Sequence, residues 1–181
     1  PPLYKIAKGK QHQYLKDDNA LAEYLTSAAL DGAALYVNAD APPVSGAALA
    51  DIVKRYQAVE AIISRRSRHY PTDVLWELVF TPRLTKEALQ DEAAVAAYGD
   101  EISKRLHTLK TRGTSYTVEA RADEDGFWYP LVRMLAHGVE RLIPLRTDFF
   151  RSGDYNDMAS LGETITDLIE ESGYFQRGEK T

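Results

Sequence analysis

Gly113-Thr114-Ser115-Tyr116-Thr117-Val118-Glu119-Ala120-Arg121-Ala122-Asp123-Glu124-Asp125-Gly126 is the stretch in which the chain changes its period. Tyr116, Val118, Ala120 and Ala122 point one way while Thr117, Glu119 and Arg121 point the other, the two-residue repeat of a half-buried strand. Asp123 to Gly126 reads as a hairpin turn, Phe127 to Leu135 returns, and after His137-Gly138 a third strand is expected from Val139 to Leu145. Pro130 and Pro144 carry no ladder donor, so edge positions or bulges are expected for both.

On either side of this sheet the repeat is helical. From Ser45 onward Leu49, Ile52, Val53, Tyr56, Val59, Ile62 and Ile63 recur at three and four, the stripe of a long amphipathic helix. Tyr70-Pro71 breaks it, Val74 to Val79 resumes it as a shorter helix, and Thr81-Pro82 stops that one. A second long helix is expected between Thr85 and Arg112, with Ile102, Leu106 and Leu109 on one side, Gly113 as terminator and Gly99 as a possible interruption. A last helix carries Met158, Leu161, Ile165, Leu168 and Ile169 before Gly173. Near the amino terminus, Leu3, Ile6, Tyr14 and Leu15 flank Lys8-Gly9-Lys10 as a hairpin, Asp17-Asp18-Asn19 offers caps to a helix through Leu21, Tyr24 and Leu25, and Ala34 to Val37 reads as a strand. The expected fold class is α+β: a long antiparallel helix pair, a small antiparallel sheet and a C-terminal helix.

Composition narrows the function classes. The 181 residues suffice to bury roughly two-thirds of the unfolded surface. Apolar content of 44% and charged content of 27% belong to an ordinary globular chain. No apolar run approaches the roughly 20 residues that span a bilayer, so no membrane partner is expected. Absence of cysteine excludes disulfides and thiolate chemistry and agrees with a cytoplasmic location. A start at Pro1-Pro2 suggests a fragment or processed form. The net charge of −5 argues against a surface that embraces nucleic acid on all sides, so any DNA contact is expected to be a local basic patch.

Catalytic patterns are missing. Gly9-Lys10 is followed by Gln11 and lacks the earlier glycine of a phosphate-binding loop, and the four histidines His12, His69, His107 and His137 are scattered. Asp123-Glu124-Asp125 has the spacing of a magnesium pair but stands before Gly126, as turn residues do, and Asp154 and Asp157 read as helix caps. Trp76, Phe127, Trp128 and Tyr129 read as packing rather than base-stacking groups. What remains is positive charge: Lys5, Lys8 and Lys10 with Lys16 in an acid-free window, then Arg65, Arg66 and Arg68, then Lys104 and Arg105. These eight residues are candidate phosphate contacts, with Lys16 an accompanying charge; the competing reading is cations at helix C-termini that satisfy the macrodipole.

The opening eighteen residues resemble the segment leaving the catalytic metal-binding (TOPRIM) domain of the DNA gyrase B protein. The rest is similar to the insert of gyrase B from many Gram-negative bacteria, on Ala29-Leu30-Asp31-Gly32-Ala33, Arg68-His69-Tyr70-Pro71, His137-Gly138-Val139, Gly153-Asp154-Tyr155, Ser160-Leu161-Gly162-Glu163 and Arg177-Gly178-Glu179 in the family's order. That resemblance implies residues 1–18 as a hairpin continuing from the host domain and 19–181 as the insert, with chain ends close together. The family's Glu-Gly-Asp-Ser stretch, metal site and ATP-binding domain would lie upstream, so the resemblance implies no catalytic residue, no metal ligand and no cofactor within this chain, the parent enzyme using ATP and magnesium. It implies DNA, the gyrase A protein and the remainder of gyrase B as partners, in an accessory role that supports DNA binding and couples DNA capture to supercoiling. A purely structural protein–protein scaffold is the alternative.

Overall fold

A computed structural model describes residues 4–8, 11–15, 24, 26–27, 30–31, 33–36, 44–109, 113–168 and 174–177. Its elements run β1 (Tyr4–Lys8), β2 (Gln11–Leu15), β3 (Ala33–Tyr36), β4 (Val44–Ser45), α1 (Gly46–Arg66), α2 (Thr72–Phe80), a 3-10 turn at Ala88–Gln90, α3 (Glu92–Thr108), β5 (Thr114–Ala122), β6 (Trp128–Ala136), β7 (Val139–Pro144), α4 (Thr147–Phe150), α5 (Gly153–Leu168) and β8 (Tyr174–Arg177). Two compact units result, residues 1–57 with 167–181, and residues 58–166.

In the first unit β1 and β2 form the expected antiparallel hairpin, Tyr4 opposite Leu15 and Lys8 opposite Gln11. Strand β3 lies between β4 and β8, both antiparallel to it, with Ala33 opposite Arg177. Neither β4 nor β8 carries a readable alternation of its own. Tyr24, Thr26, Ser27 and Leu30 are helical; Asp17, Asp18, Asn19, Leu21 and Leu25, from the expected capped helix, lie outside the described residues.

The second unit is α+β around a three-stranded antiparallel sheet of order β5-β6-β7. Thr117, Glu119 and Arg121 are exposed while Tyr116 is buried and Val118 and Ala120 are half-buried, as the alternation requires; Ala122, expected on the same side as Tyr116, is exposed at the end of the strand next to the turn. Asp123 Oδ1 accepts from the N–H groups of Asp125 (2.9 Å) and Phe127 (2.8 Å), closing the turn for which Gly126 supplies φ +79. His137 and Gly138 both have positive φ, the two-residue turn that matches strand twist. Pro144 is on the edge strand, but Pro130 sits in the central strand, a correction to its expected edge position. It is tolerated because β7 pairing begins only at Leu131, and the Pro130 carbonyl still accepts the Leu145 N–H at 2.9 Å.

The expected 85–112 helix is shorter: Asp91 caps it, its carboxylate accepting the Ala93 N–H at 2.9 Å, and it ends at Thr108 rather than running to Gly113. Gly99 does not interrupt it. A Cβ there would stand 3.0 Å from Val118 Cγ1, so the glycine lets β5 lie close against the helix. The long helices supply one core, with Val59, Ile62 and Ile63 of α1 and Val95, Tyr98, Ile102 and Leu106 of α3 buried together. The expected antiparallel pairing is refined accordingly, since the closest neighbours of α3 are β5, β6 and α2. Helix α5 adds Tyr155, Met158 and Leu161, each almost wholly buried. At its crossing with α2, Gly162 has no room for a Cβ, which would fall on the carbonyl oxygen of Val79. Among the described residues no helix is long and apolar enough to cross a membrane.

Candidate nucleic-acid interface

Arg65 and Arg66 close the last turn of α1, where unpaired carbonyls favour cations. Their guanidinium groups also meet a carboxylate far along the sequence: Arg65 Nη2 donates to Asp154 Oδ1 at 3.0 Å and Arg66 Nε to Oδ2 at 2.8 Å. Asp154 is therefore not a cap. Ser152 caps α5, its hydroxyl accepting the Tyr155 N–H at 3.2 Å, which frees the Asp154 carboxylate for the arginines. Burial alone raises the Asp154 pKa, but hydrogen bonds from Arg66 and then Arg65 outweigh it and hold the carboxyl below its ordinary value. Arg66 is one-third exposed and also lies 5.9 Å from the Phe149 ring, while Arg65 keeps 61% of its side-chain surface in water. Arg68 is exposed and has no ion-pair partner among the described residues. Near it Arg141, on edge strand β7, donates to the His69 carbonyl at 3.0 Å and adds a fourth cation that carries no sequence signal.

The other candidates are placed less favourably. Lys104 Nζ pairs with Glu101 one turn back at 2.8 Å, and Arg105 Nη1 stands 4.0 Å from Glu77 Oε2 with its own Nε buried and without a hydrogen-bond partner. Burial raises the Glu77 pKa although Arg105 opposes it. Lys5 and Lys8 lie on β1, and Lys10 lies outside the described residues.

Another arginine organises this unit from an unremarkable place in the sequence. Arg83, in the loop after α2, donates through Nε and Nη2 to the two oxygens of Glu163 (2.8 and 3.2 Å), through Nη1 to Asn156 (2.7 Å) and through Nη2 to Ser160 (3.0 Å). Four N–H groups of one planar fork are thereby satisfied by three side chains on α5. Beside it the Tyr155 hydroxyl accepts the Leu84 N–H at 2.8 Å and lies 3.4 Å from that of Tyr98, within rings that include Phe149 and Phe150. Burial pushes both tyrosine pKa values up. Phe127 and Trp128 pack on the core as expected. Arg151 lies over the Phe127 ring (4.4 Å) and Arg146 over that of Tyr129 (5.4 Å).

Magnesium, the cation the resemblance assigns to the parent, does not fit the acidic turn. Asp123 Oδ1 is occupied by two backbone N–H groups and Oδ2 is approached by the Thr147 hydroxyl at 3.4 Å. Among the described residues no group of three His, Asp or Glu side chains is placed to hold a metal.

A protein-family model described as the DNA gyrase B subunit insert domain matches residues 33–181. The chain belongs to that family. A second model, described as "GyrB, hook", matches residues 2–30. Two relatives, each named as the B subunit of DNA gyrase, come from Caulobacter vibrioides strains NA1000 / CB15N and ATCC 19089 / CIP 103742 / CB 15; each is 27% identical over 181 residues, covering 100% of this chain and 21% of the relative. The chain thus spans about a fifth of the length of the curated relatives it matches. Within the insert domain, short pieces that carry the resemblance are also those that fasten α5 to its neighbours: Asp154 takes Arg65 and Arg66, Tyr155 takes Leu84, Ser160 and Glu163 take Arg83, and Gly162 admits Val79.

Proposed function

We propose that this insert domain is an accessory module of a DNA gyrase B protein, supporting DNA binding and coupling DNA capture to ATP-dependent negative supercoiling. The observation that carries the reading is the match of the whole chain to relatives named as DNA gyrase B. Its parent is then a type II topoisomerase, an isomerase acting in the cytoplasm with the gyrase A protein and the remainder of gyrase B. ATP and magnesium serve that parent through residues outside this chain, which contributes position and charge rather than bond-making.

The helix end at Arg65, Arg66 and Arg68 supports the DNA reading. Asp154 neutralises part of its charge but fixes the two side chains, and a guanidinium held in place loses less freedom on gripping a phosphate. Arg65 and Arg68 are the exposed members. A protein-only scaffold has its own support in Leu135, Val139 and Leu142, large apolar side chains left 46%, 68% and 50% exposed around the β6–β7 hairpin.

Salt separates the two. For the 181-residue chain and a short duplex, the logarithm of affinity should fall against the logarithm of salt with a slope of about −1.8 if two phosphates are neutralised, since each contributes about −0.9. A flat line would favour the scaffold.

A further inference from the structure

Three clefts of comparable size differ in the charge they present. One of about 530 Å³ is lined by Asp123, Glu124 and Asp125 against Arg146, and one of about 340 Å³ by Asp51 and Lys54 among small and polar side chains. The third, about 370 Å³, lies between the loop after α2 and the start of α5; Arg83, Lys86 and Arg151 line it with Thr85, Ser152 and Asn156, and no carboxylate does. In a chain with a net charge of −5, three cations and no acid around one concavity is a local inversion of sign.

The pairing pattern explains why the inversion persists. Two acids of α5 are already committed, Asp154 to Arg65 and Arg66 and Glu163 to Arg83, and the exposed Asp157 does not line the cleft. Arg83 is immobilised by its four hydrogen bonds and forms a fixed wall. Arg151 lies over the face of Phe127, an arrangement that orients a guanidinium while leaving its in-plane N–H groups for another acceptor. Lys86 and Arg151 are exposed and neither has an ion-pair partner among the described residues. Thr85 Oγ1 already accepts the Ala88 N–H at 3.2 Å and Asn156 Oδ1 accepts from Arg83 at 2.7 Å, which leaves the Thr85 hydroxyl proton and the Asn156 amide N–H groups as neutral donors in the lining. At about 30 Å³ per water, the cleft holds the equivalent of about a dozen waters, room enough for a tetrahedral anion and part of its hydration.

We propose that this cleft binds a phosphodiester group of DNA, with Lys86 and Arg151 supplying the charge and Arg83 the rigid wall. The assignment rests on the reading of the chain as a DNA-engaging insert domain, and it moves the main grip away from the helix-end arginines, whose charge Asp154 partly cancels. Forked guanidinium donors and a flexible ammonium on one concavity are the groups that recognise phosphate oxygens without reading bases.

The test uses the isotopically labelled 181-residue chain, titrated with a short duplex and separately with inorganic phosphate, and the salt dependence of duplex affinity in variants. The duplex should shift the backbone amide resonances of Lys86, Arg151 and Ser152. Lys86→Gln with Arg151→Gln should make the salt slope shallower by about 1.8, and Lys86→Gln alone by about 0.9. Arg121→Gln, which removes a cation from the exposed sheet face, should leave the slope unchanged, and unchanged melting curves would show that the variants fold. If the wild-type chain binds duplex with a salt slope that the double variant retains, the cleft assignment is wrong while the DNA reading survives. If the wild-type slope is flat, the DNA reading fails and the cleft with it. If inorganic phosphate shifts the cleft amides and duplex does not, the ligand is a small free phosphate and the proposal is overturned.

Discussion

Replacing Gly162 by alanine puts one methyl group where α5 crosses α2, and the consequences can be worked from the contact. The new Cβ would fall on the Val79 carbonyl oxygen and lie 2.8 Å from its carbonyl carbon. Both are backbone atoms of a helix, so no rotamer change relieves the overlap and α5 has to move off α2. That movement loosens Met158 and Leu161, whose side chains are almost fully buried, and pulls Ser160 and Glu163 away from Arg83. Overpacking of this kind costs about 3 kcal/mol at the upper end of its usual range. Alanine recovers about 1 kcal/mol of helix propensity. The net loss is about 2 kcal/mol, roughly 8 °C in melting temperature for a unit of this size. Gly99→Ala is the internal control, because its Cβ meets a valine methyl that can shift by a few tenths of an ångström; the contact and the propensity gain should nearly cancel, within about 1 kcal/mol. Thermal denaturation followed by circular dichroism compares the two. A Gly162→Ala protein that melts with or above the wild type would refute the close-crossing argument.

Other perturbations follow from named contacts. Tyr155→Phe removes the acceptor of the buried Leu84 N–H and should destabilise by about 1–3 kcal/mol, with faster hydrogen exchange at the Leu84 amide; unchanged exchange would count against the bond. Asp154 has a folded pKa below its unfolded value, so its contribution is present above the unfolded pKa of about 3.9 and lost as pH falls through the lower folded value. Asp154→Asn should therefore reduce stability at neutral pH and flatten the acid limb of a stability-against-pH curve, whereas an identical acid limb would show that the two arginines do not perturb it. His137→Asn places the residue preferred at the first position of a positive-φ two-residue turn and should raise the melting temperature slightly, by a few tenths of a kcal/mol; a lower melting temperature would argue against that turn.

Local patterns in the sequence located the elements, and distant contacts decided what they do. The period change at Gly113 and the apolar stripe from Leu49 to Ile63 are legible because each depends on residues within a few positions of one another. Gly99 reads as an interruption because propensity is a local quantity, while its role is to admit Val118 from a strand that comes later. Strand β8 is invisible in the sequence because its register, Tyr36 opposite Tyr174, exists only once two segments far apart in the chain pair within the first unit. At the candidate site the arginine cluster can be read directly, but not its partner: Asp154 lies 89 residues from Arg65 and has the look of a helix cap. Arg83 and Arg151 stand singly in the sequence, and only the fold brings them with Lys86 to one cleft.

Whether the insert domain contributes grip on DNA to its parent is measured most directly on the reconstituted enzyme. Arg65→Gln with Arg68→Gln, introduced into the full-length parent gyrase B and assayed together with gyrase A, should weaken DNA binding and slow supercoiling together while ATP hydrolysis in the absence of DNA stays at its wild-type rate. Slower supercoiling at unchanged DNA affinity would remove the helix-end arginines from the DNA contact, and the same result with Lys86→Gln and Arg151→Gln added would contradict the grip and make the domain a scaffold.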